Sequence, residues 1–190
     1  MEILAKLFGS ESRVRVMRLF VSNPGVVFDK DDLVKRCKVR HDDLVKELRD
    51  LEKIGFITKK KMHGRGSALA LSETFPYLIP LQNLLVNFES LGKKEVVDRF
   101  ARAGKLKLVV VSGVFIQNPE ARIDLLVVGD KLKKTAVENA VKALEGEMGK
   151  ELRFADFETD DFTYRMTVYD KLVRDVLDYP HKKLFNKLGL

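Results

Sequence analysis

Apolar residues recur at two different periods along this 190-residue chain, and the change of period divides it. Leu44, Leu48 and Leu51, with Ile54 just beyond, follow one another at three- and four-residue steps, while Lys46, Glu47, Arg49, Asp50 and Lys53 take the remaining faces, which predicts an amphipathic helix starting near Arg40-His41-Asp42-Asp43. Gly55 ends it. Phe56-Ile57-Thr58 then opens a β-prone run through Lys59-Lys60-Lys61 that turns at His63-Gly64-Arg65-Gly66-Ser67 and returns as Ala68-Leu69-Ala70-Leu71. Upstream, Ser10 is placed to cap a helix whose residues Arg13 to Val21 carry apolar Val14, Val16, Met17, Phe20 and Val21, and Asn23-Pro24-Gly25 stops it. Asp29 caps a second helix that runs through Leu33 and Val34 to Cys37, with Asp31 and Asp32 in its first turn. A boundary falls at Thr74-Phe75-Pro76. The stretch Tyr77 to Val86 predicts a connecting helix with Pro76 or Pro80 in its first turn, too apolar for one narrow buried face and so expected to pack on both domains or on a second subunit.

From Lys105 the period shortens. Leu106 to Gly113 and Ala121 to Gly129 are continuous β-branched and aliphatic runs, expected as buried strands joined by a short loop at Asn118-Pro119. Lys133 to Gly149 predicts a helix with Val137, Val141, Leu144 and Met148 on one side, followed by a strand at Glu151 to Phe157. A last helix is expected over roughly Asp160 to Asp178, where Phe162, Met166, Tyr169, Val173 and Val176 or Leu177 keep a helical stripe. The order strand, strand, helix, strand, helix suits a small mixed sheet backed by helices. The expected class is α+β, divided as residues 1–74, connecting helices over 75–104, and 105–190.

Composition changes this picture in one respect. A hydrophobic fraction of 45% with 33% charged residues is ordinary for a folded chain, but the net charge of +7 and pI near 9.4 favour polyanionic partners. Residues 1–74 hold 16 Lys and Arg against 11 Asp and Glu, and the remainder holds 19 against 17, so the excess lies mainly in the first domain. The single Cys37 excludes an internal disulfide and is expected as a small buried hydrophobe. His41, His63 and His181 have no metal-ligand spacing, and no metal or other cofactor is expected. With no secretory signal and no long apolar span, the chain is expected in the cytoplasm, with no membrane partner.

Helix, turn, helix and basic strand pair therefore follow one another in the first domain. In helix-turn-helix proteins the N-terminal part of the second helix of the pair reaches base edges, which makes Arg40, His41, Lys46 and Arg49 the candidates for the major groove. Lys59, Lys60, Lys61 and Arg65 on a protruding hairpin would meet phosphates. Asp42 and Asp43 oppose close contact along that whole face. A plainer reading of the lysines is an edge strand protected against aggregation.

The segments LFGSESRVRVMRLFVSNPG, LVKELRDLEKIGFI, KKK and TFPYLIPLQNLL, taken in order, resemble winged-helix regulators of the MarR/ArsR-like superfamily in the form fused to a nucleotidyltransferase-like domain. The C-terminal segment from Phe162 to Pro180 resembles the end of the same proteins. That resemblance implies a Gly-Ser after the first strand of the second domain to hold a nucleotide phosphate, and an Asp-x-Asp on the next strand to bind a divalent metal. Two carboxylates at i and i+2 share one face of a strand and clamp a metal that bridges a triphosphate. Asp124 matches the second aspartate, but Arg122 stands at the first position, and a guanidinium ligates no metal. The Gly-Ser is inverted as Ser112-Gly113, or replaced by Gly113-Val114, and Asp156 matches a third carboxylate. The domain is therefore expected to be noncatalytic. Two roles remain for it: Ser112, Gly113 and Arg122 holding a nucleotide effector by its phosphate without metal, or an Arg122–Asp124 ion pair in a domain used for assembly. The expected function is a transcriptional regulator that binds double-stranded DNA as a homodimer. The alternatives are a minimal nucleotidyltransferase and an antitoxin-like protein-interaction module.

Overall fold

The computed structural model describes residues 2–61, 67–86, 93–118 and 120–190. The chain is α+β, and its residues group into two units, Met1–Asn87 with Glu145–Lys150, and Phe88–Leu144 with Glu151–Leu190. Among the described residues no helix is long and apolar enough to cross a membrane.

The first unit is organised around one helix. After α1 (Glu2–Phe8), Ser10 caps α2 (Glu11–Ser22) by accepting the Arg13 N–H at 3.1 Å. Val14, Val16, Met17, Leu19, Phe20 and Val21 of α2 are all buried, more than one stripe, because four other helices and a strand pack against it. Chain order continues with β1 (Val27–Phe28), α3 (Lys30–Cys37), α4 (His41–Lys53), β2 (Ile57–Lys61), β3 (Ser67–Leu71) and α5 (Leu78–Leu85). Asp29 caps α3 through the Asp32 N–H at 2.8 Å, and Gly55, at φ +77°, supplies the left-handed residue after α4. The three strands form an antiparallel sheet in the order β1-β3-β2, with Ile57 opposite Leu71 and Lys59 opposite Leu69. Ile57, Leu69 and Leu71 join the α2, α3 and α4 side chains in one core. Cys37 lies in that core, and burial pushes its thiol up to about 12, which leaves it protonated and inert.

The second unit holds α6 (Lys93–Phe100), β4 (Lys105–Val111), a 3-10 turn (Gly113–Ile116), β5 (Leu125–Asp130), most of α7 (Lys134–Met148), β6 (Phe154–Glu158), α8 (Thr159–Thr167), α9 (Lys171–Leu177) and β7 (Lys182–Asn186). Its sheet has the order β6-β5-β4-β7, with β5 and β6 parallel and the other pairs antiparallel. Leu108, Val110, Leu126 and Val128 pack with Phe162 of α8 and with Val173 and Val176 of α9. Val109, Val111, Leu125 and Val127, on the opposite face by alternation, are equally buried, which is why both central strands read as unbroken apolar runs.

The structure departs from expectation at four places. The second strand starts at Leu125, because the Asp124 and Leu125 N–H groups turn to the Arg153 carbonyl and leave residues 121–124 outside the ladder. The helix expected over 160–178 is two helices. Tyr169 adopts a left-handed φ of +56° and is 72% exposed, and Asp170 then caps α9 through the Leu172 and Val173 N–H groups at 2.9 and 3.1 Å. The stripe of apolar residues continued across this break and concealed it. β7 was not anticipated, since Lys182-Lys183-Leu184-Phe185-Asn186 has no sustained alternation; pairing with the exposed edge of β4 makes it a strand. The segment expected to connect the domains is divided, with α5 in the first unit and α6 in the second.

The Asp170 cap carries a pH signature. Donation by the Val173 and Leu172 amides, with Arg165 at 3.2 Å, holds its carboxyl below the usual aspartate range. A depressed folded-state value means that the cap stabilises fully above the ordinary unfolded value of about 3.9 and is lost as pH falls through the lower folded one. An NMR titration is expected to show the Leu172 and Val173 amide shifts moving together, with a midpoint below that of an unperturbed aspartate; a midpoint at the ordinary value would mean that the cap is not formed.

Residues 145–150 belong to the first unit. The last carbonyls of a helix have no partner within it, and side chains of α2 and of its C-cap Asn23 supply them: Arg18 donates to Glu147 O at 3.1 Å, Ser22 to Met148 O at 3.3 Å and Asn23 to Gly149 O at 2.6 Å. The same buried Arg18 donates to Leu85 O at the end of α5 at 2.8 Å, so one guanidinium serves the negative ends of two helices.

Candidate nucleic-acid interface

The orientation of α4 is decided on its buried side. Leu44, Leu48 and Leu51 enter the core, and between them the almost fully buried Glu47 meets Arg13 of α2 at 2.6 Å. The same guanidinium reaches Asp50 at 2.9 Å. Two carboxylates of α4 clamped by one arginine fix the rotation of the helix about its axis as well as its depth. The opposite side then presents Lys46, Arg49 and Lys53, spaced i, i+3 and i+7 along one stripe and all exposed. Among the described residues none of these three cations makes an ion pair.

The start of α4 is more nearly neutral. Arg40, just before the first turn, is 86% exposed and donates to Asp43 at 2.9 Å, which raises its already high pKa. His41 Nδ1 lies 3.8 Å from Asp42. Both residues are accessible, but each has an acidic neighbour that a phosphate or base edge would have to displace.

The hairpin lysines do not form one uniform face. Lys59 stands on the same sheet face as Ile57 and turns toward α4, where it meets Glu52 at 2.7 Å. Lys60 alternates to the other face and is exposed. The side chain of Lys61, and His63, Gly64, Arg65 and Gly66 at the turn, lie outside the described residues. Between α4 and the sheet lies an open groove of about 310 Å³, lined by Val45, Leu48 and Leu69 together with Lys30, Arg49, Glu52 and Lys59. An apolar floor with three cations and one acid around it suits the sugar-phosphate edge of a nucleic acid. Lys30 and Lys53 were not among the residues selected from sequence. Lys53 lay on the correct helical stripe, whereas Lys30 gave no sequence signal, because only the tertiary fold brings the start of α3 beside α4.

The second candidate site is arranged differently from expectation. Arg122 and Asp124 do not pair: Arg122 reaches Asp175 at 2.8 Å, and Asp124 pairs with Arg153 at 3.3 Å. Asp124 is 1% exposed. Its Oδ1 accepts the Val114 N–H at 3.0 Å, and its Oδ2 accepts the Arg153 N–H at 2.9 Å. The backbone donor that a phosphate would use beyond β4 is thus already engaged by an internal carboxylate. Ser112 is buried, with its hydroxyl on Ile123 O at 2.5 Å, and Gly113 at φ +54° leaves room for Asp124 where no side chain would fit. Asp156 lies on β6 opposite Val127. Among the described residues no three His, Cys, Asp or Glu side chains are grouped to hold a metal.

No protein-family model, no curated protein and no solved structure matched this chain.

Proposed function

We propose that the protein is a DNA-binding transcriptional regulator of the cytoplasm. In this reading the first unit is a winged helix-turn-helix domain, in which α3 and α4 are the helix pair and β2–β3 is the wing. α4 lies in the major groove of double-stranded DNA with Lys46, Arg49 and Lys53 toward it, and Lys59 and Lys60 of β2 lie along the backbone. The observation that carries the reading is the exposed, unpaired stripe of three cations on α4, held at a set rotation by Arg13 and flanked by a groove whose rim is basic. A protective role for edge lysines does not account for that stripe, because it lies on a helix.

The second unit serves assembly in this proposal, as a nucleotidyltransferase-like domain without catalysis, and a homodimer would pair two recognition helices with two half-sites. Assembly is favoured over nucleotide sensing and over transferase activity for one reason. Asp124, the carboxylate that would hold a metal, is buried and occupied by Val114 and Arg153, and Arg122 is engaged by Asp175.

Anisotropy titration of duplex DNA from the protein's own upstream region tests the reading. Wild type is expected to bind with steep salt dependence. Lys46→Ala/Arg49→Ala is expected to bind at least tenfold more weakly, and each lost phosphate contact should reduce the slope of log K against log salt by about 0.9. A variant that binds as wild type does, or wild type that fails to bind at low salt, would transfer the first unit to the protein-interaction reading.

A further inference from the structure

Charge that is nearly balanced along the sequence beyond residue 74 is gathered by the fold at one corner of the second unit. Lys105 opens β4 opposite Asp130, the last residue of β5. Two glycines let the adjoining turns press backbone against backbone: a Cβ at Gly104 would lie 2.8 Å from the Asp130 and Lys131 carbonyl oxygens, and one at Gly129 would lie 2.6 Å from that of Lys105. The Lys133 N–H closes the corner by donating to Ala103 O at 2.7 Å. Residues 102–107 and 129–134 therefore hold Arg102, Lys105, Lys107, Lys131, Lys133 and Lys134 in one fixed cluster.

The acids nearby leave most of this charge uncompensated. Asp130 takes Lys107 at 3.3 Å and the Thr159 hydroxyl at 2.5 Å, and Glu158 accepts the Lys131 and Leu132 N–H groups at 2.9 and 2.8 Å. Asp161 pairs with Arg165 at 3.0 Å, and Asp160 is exposed beside it. Among the described residues Arg102, Lys105, Lys131, Lys133 and Lys134 make no ion pair, and all are exposed. Asp130 senses the local field: the Thr159 hydroxyl first, then Lys107 and Lys105, hold its carboxyl below the usual range.

Fold stability gives no reason for these lysines. Lys131 occupies a left-handed φ of +55°, where glycine or asparagine costs less. Lys133 and Lys134 stand at the start of a 15-residue helix, where the backbone dipole favours acids. A merely solvated basic face would not need to be built at such positions.

We propose that this corner is a second DNA-contacting surface, which meets the phosphate backbone of double-stranded DNA through Arg102, Lys105, Lys131, Lys133 and Lys134. An anionic bilayer is the less suitable partner, because basic surfaces that lie on membranes insert apolar side chains as well, and Leu132 in this cluster is half-buried against the two glycines. The proposal extends DNA binding to the second unit and does not depend on α4 entering a groove.

The test uses the full chain with Lys131→Gln/Lys133→Gln/Lys134→Gln, and separately with Arg102→Gln/Lys105→Gln on the other turn, beside the α4 variant Lys46→Ala/Arg49→Ala. Duplex binding is followed by anisotropy between about 50 and 200 mM salt. The triple variant is expected to melt as wild type does, to bind about tenfold more weakly, and to lose about 2 to 3 from the salt slope, with the double variant losing slightly less than 2. If both corner variants keep wild-type affinity and slope while the α4 variant weakens, the corner proposal fails and the α4 reading stands. If the corner variants weaken and the α4 variant does not, the reverse holds. Absence of duplex binding by wild type overturns both. Phosphatidylserine vesicles are titrated in parallel; vesicle binding that the triple variant loses, with duplex binding unchanged, would assign the corner to lipid and overturn the proposal.

Discussion

Gly149→Ala is expected to destabilise the first unit by about 2–5 kcal/mol, a large part of the roughly 5–15 kcal/mol that holds a typical domain folded. Two costs combine. Gly149 has φ +67°, where a Cβ costs about 1–2 kcal/mol. That Cβ would also overlap the backbone of Leu19 and Arg18 in α2, which has no flexible end to move aside, so an overpacking cost of about 1–3 kcal/mol is added. Thermal denaturation followed by circular dichroism is expected to show a midpoint lower by roughly 10 °C. Gly55→Ala, at φ +77° with open space around it, isolates the backbone cost and should lose only about 1–2 kcal/mol. Gly146→Ala separates the other effect. It lies inside α7, its nearest neighbours would be 3.3 Å away, and the gain in helix propensity of about 1 kcal/mol should nearly cancel the crowding. Equal losses at 149 and 55 would show that residues 145–150 do not rest on α2.

The second large effect is expected at Asp124. Its carboxylate joins the turn after β4 to the start of β6 through the Val114 and Arg153 N–H groups and the Arg153 guanidinium. Asp124→Ala leaves two backbone donors without their acceptor, and a loss of about 2–4 kcal/mol is expected. No separate charge penalty is added, because the Arg153 side chain is 54% exposed and water replaces its partner. Gly113→Ala should cost a similar amount for the complementary reason, since its Cβ would fall on Asp124 Oδ1. The pair is best read as a double-mutant cycle. Removing the carboxylate removes the overlap, so Gly113→Ala is expected to be much milder in the Asp124→Ala background; strictly additive losses would mean that the two residues do not meet.

The elements most legible in the sequence were those whose signal is local. Ser10 and Asp29 were recognisable as caps, because an N-cap needs only one short polar side chain at the point where the apolar period begins, and both accept the expected N–H. The α4 stripe and the continuous runs of β4 and β5 were legible because burial on one face or on two leaves a period behind. The break at Tyr169 was not, because an apolar stripe kept its phase across it. The candidate sites divide in the same way. That Lys46 and Arg49 face outward follows from the positions of Leu44, Leu48 and Leu51. Nothing local reveals that Lys59 turns back to Glu52, or that Arg122 and Asp124 choose Asp175 and Arg153 in preference to each other.

By itself, the amino-acid sequence determined that the chain is α+β, that its first part is helical with a basic hairpin, and that its excess positive charge lies mostly before residue 75. Period, capping and composition act over a few residues and need no partner. The tertiary structure alone decided which charges cancel and which accumulate. Arg13 neutralises the buried side of α4 and leaves its outer stripe bare, Asp124 fills the turn beyond β4, and two glycines bring lysines of β4 and of the turn after β5 to one corner of the second unit. The physical reason is distance: Coulomb energy depends on separation in space and on the local dielectric, and residues from 10 to 37 apart in sequence meet in these contacts.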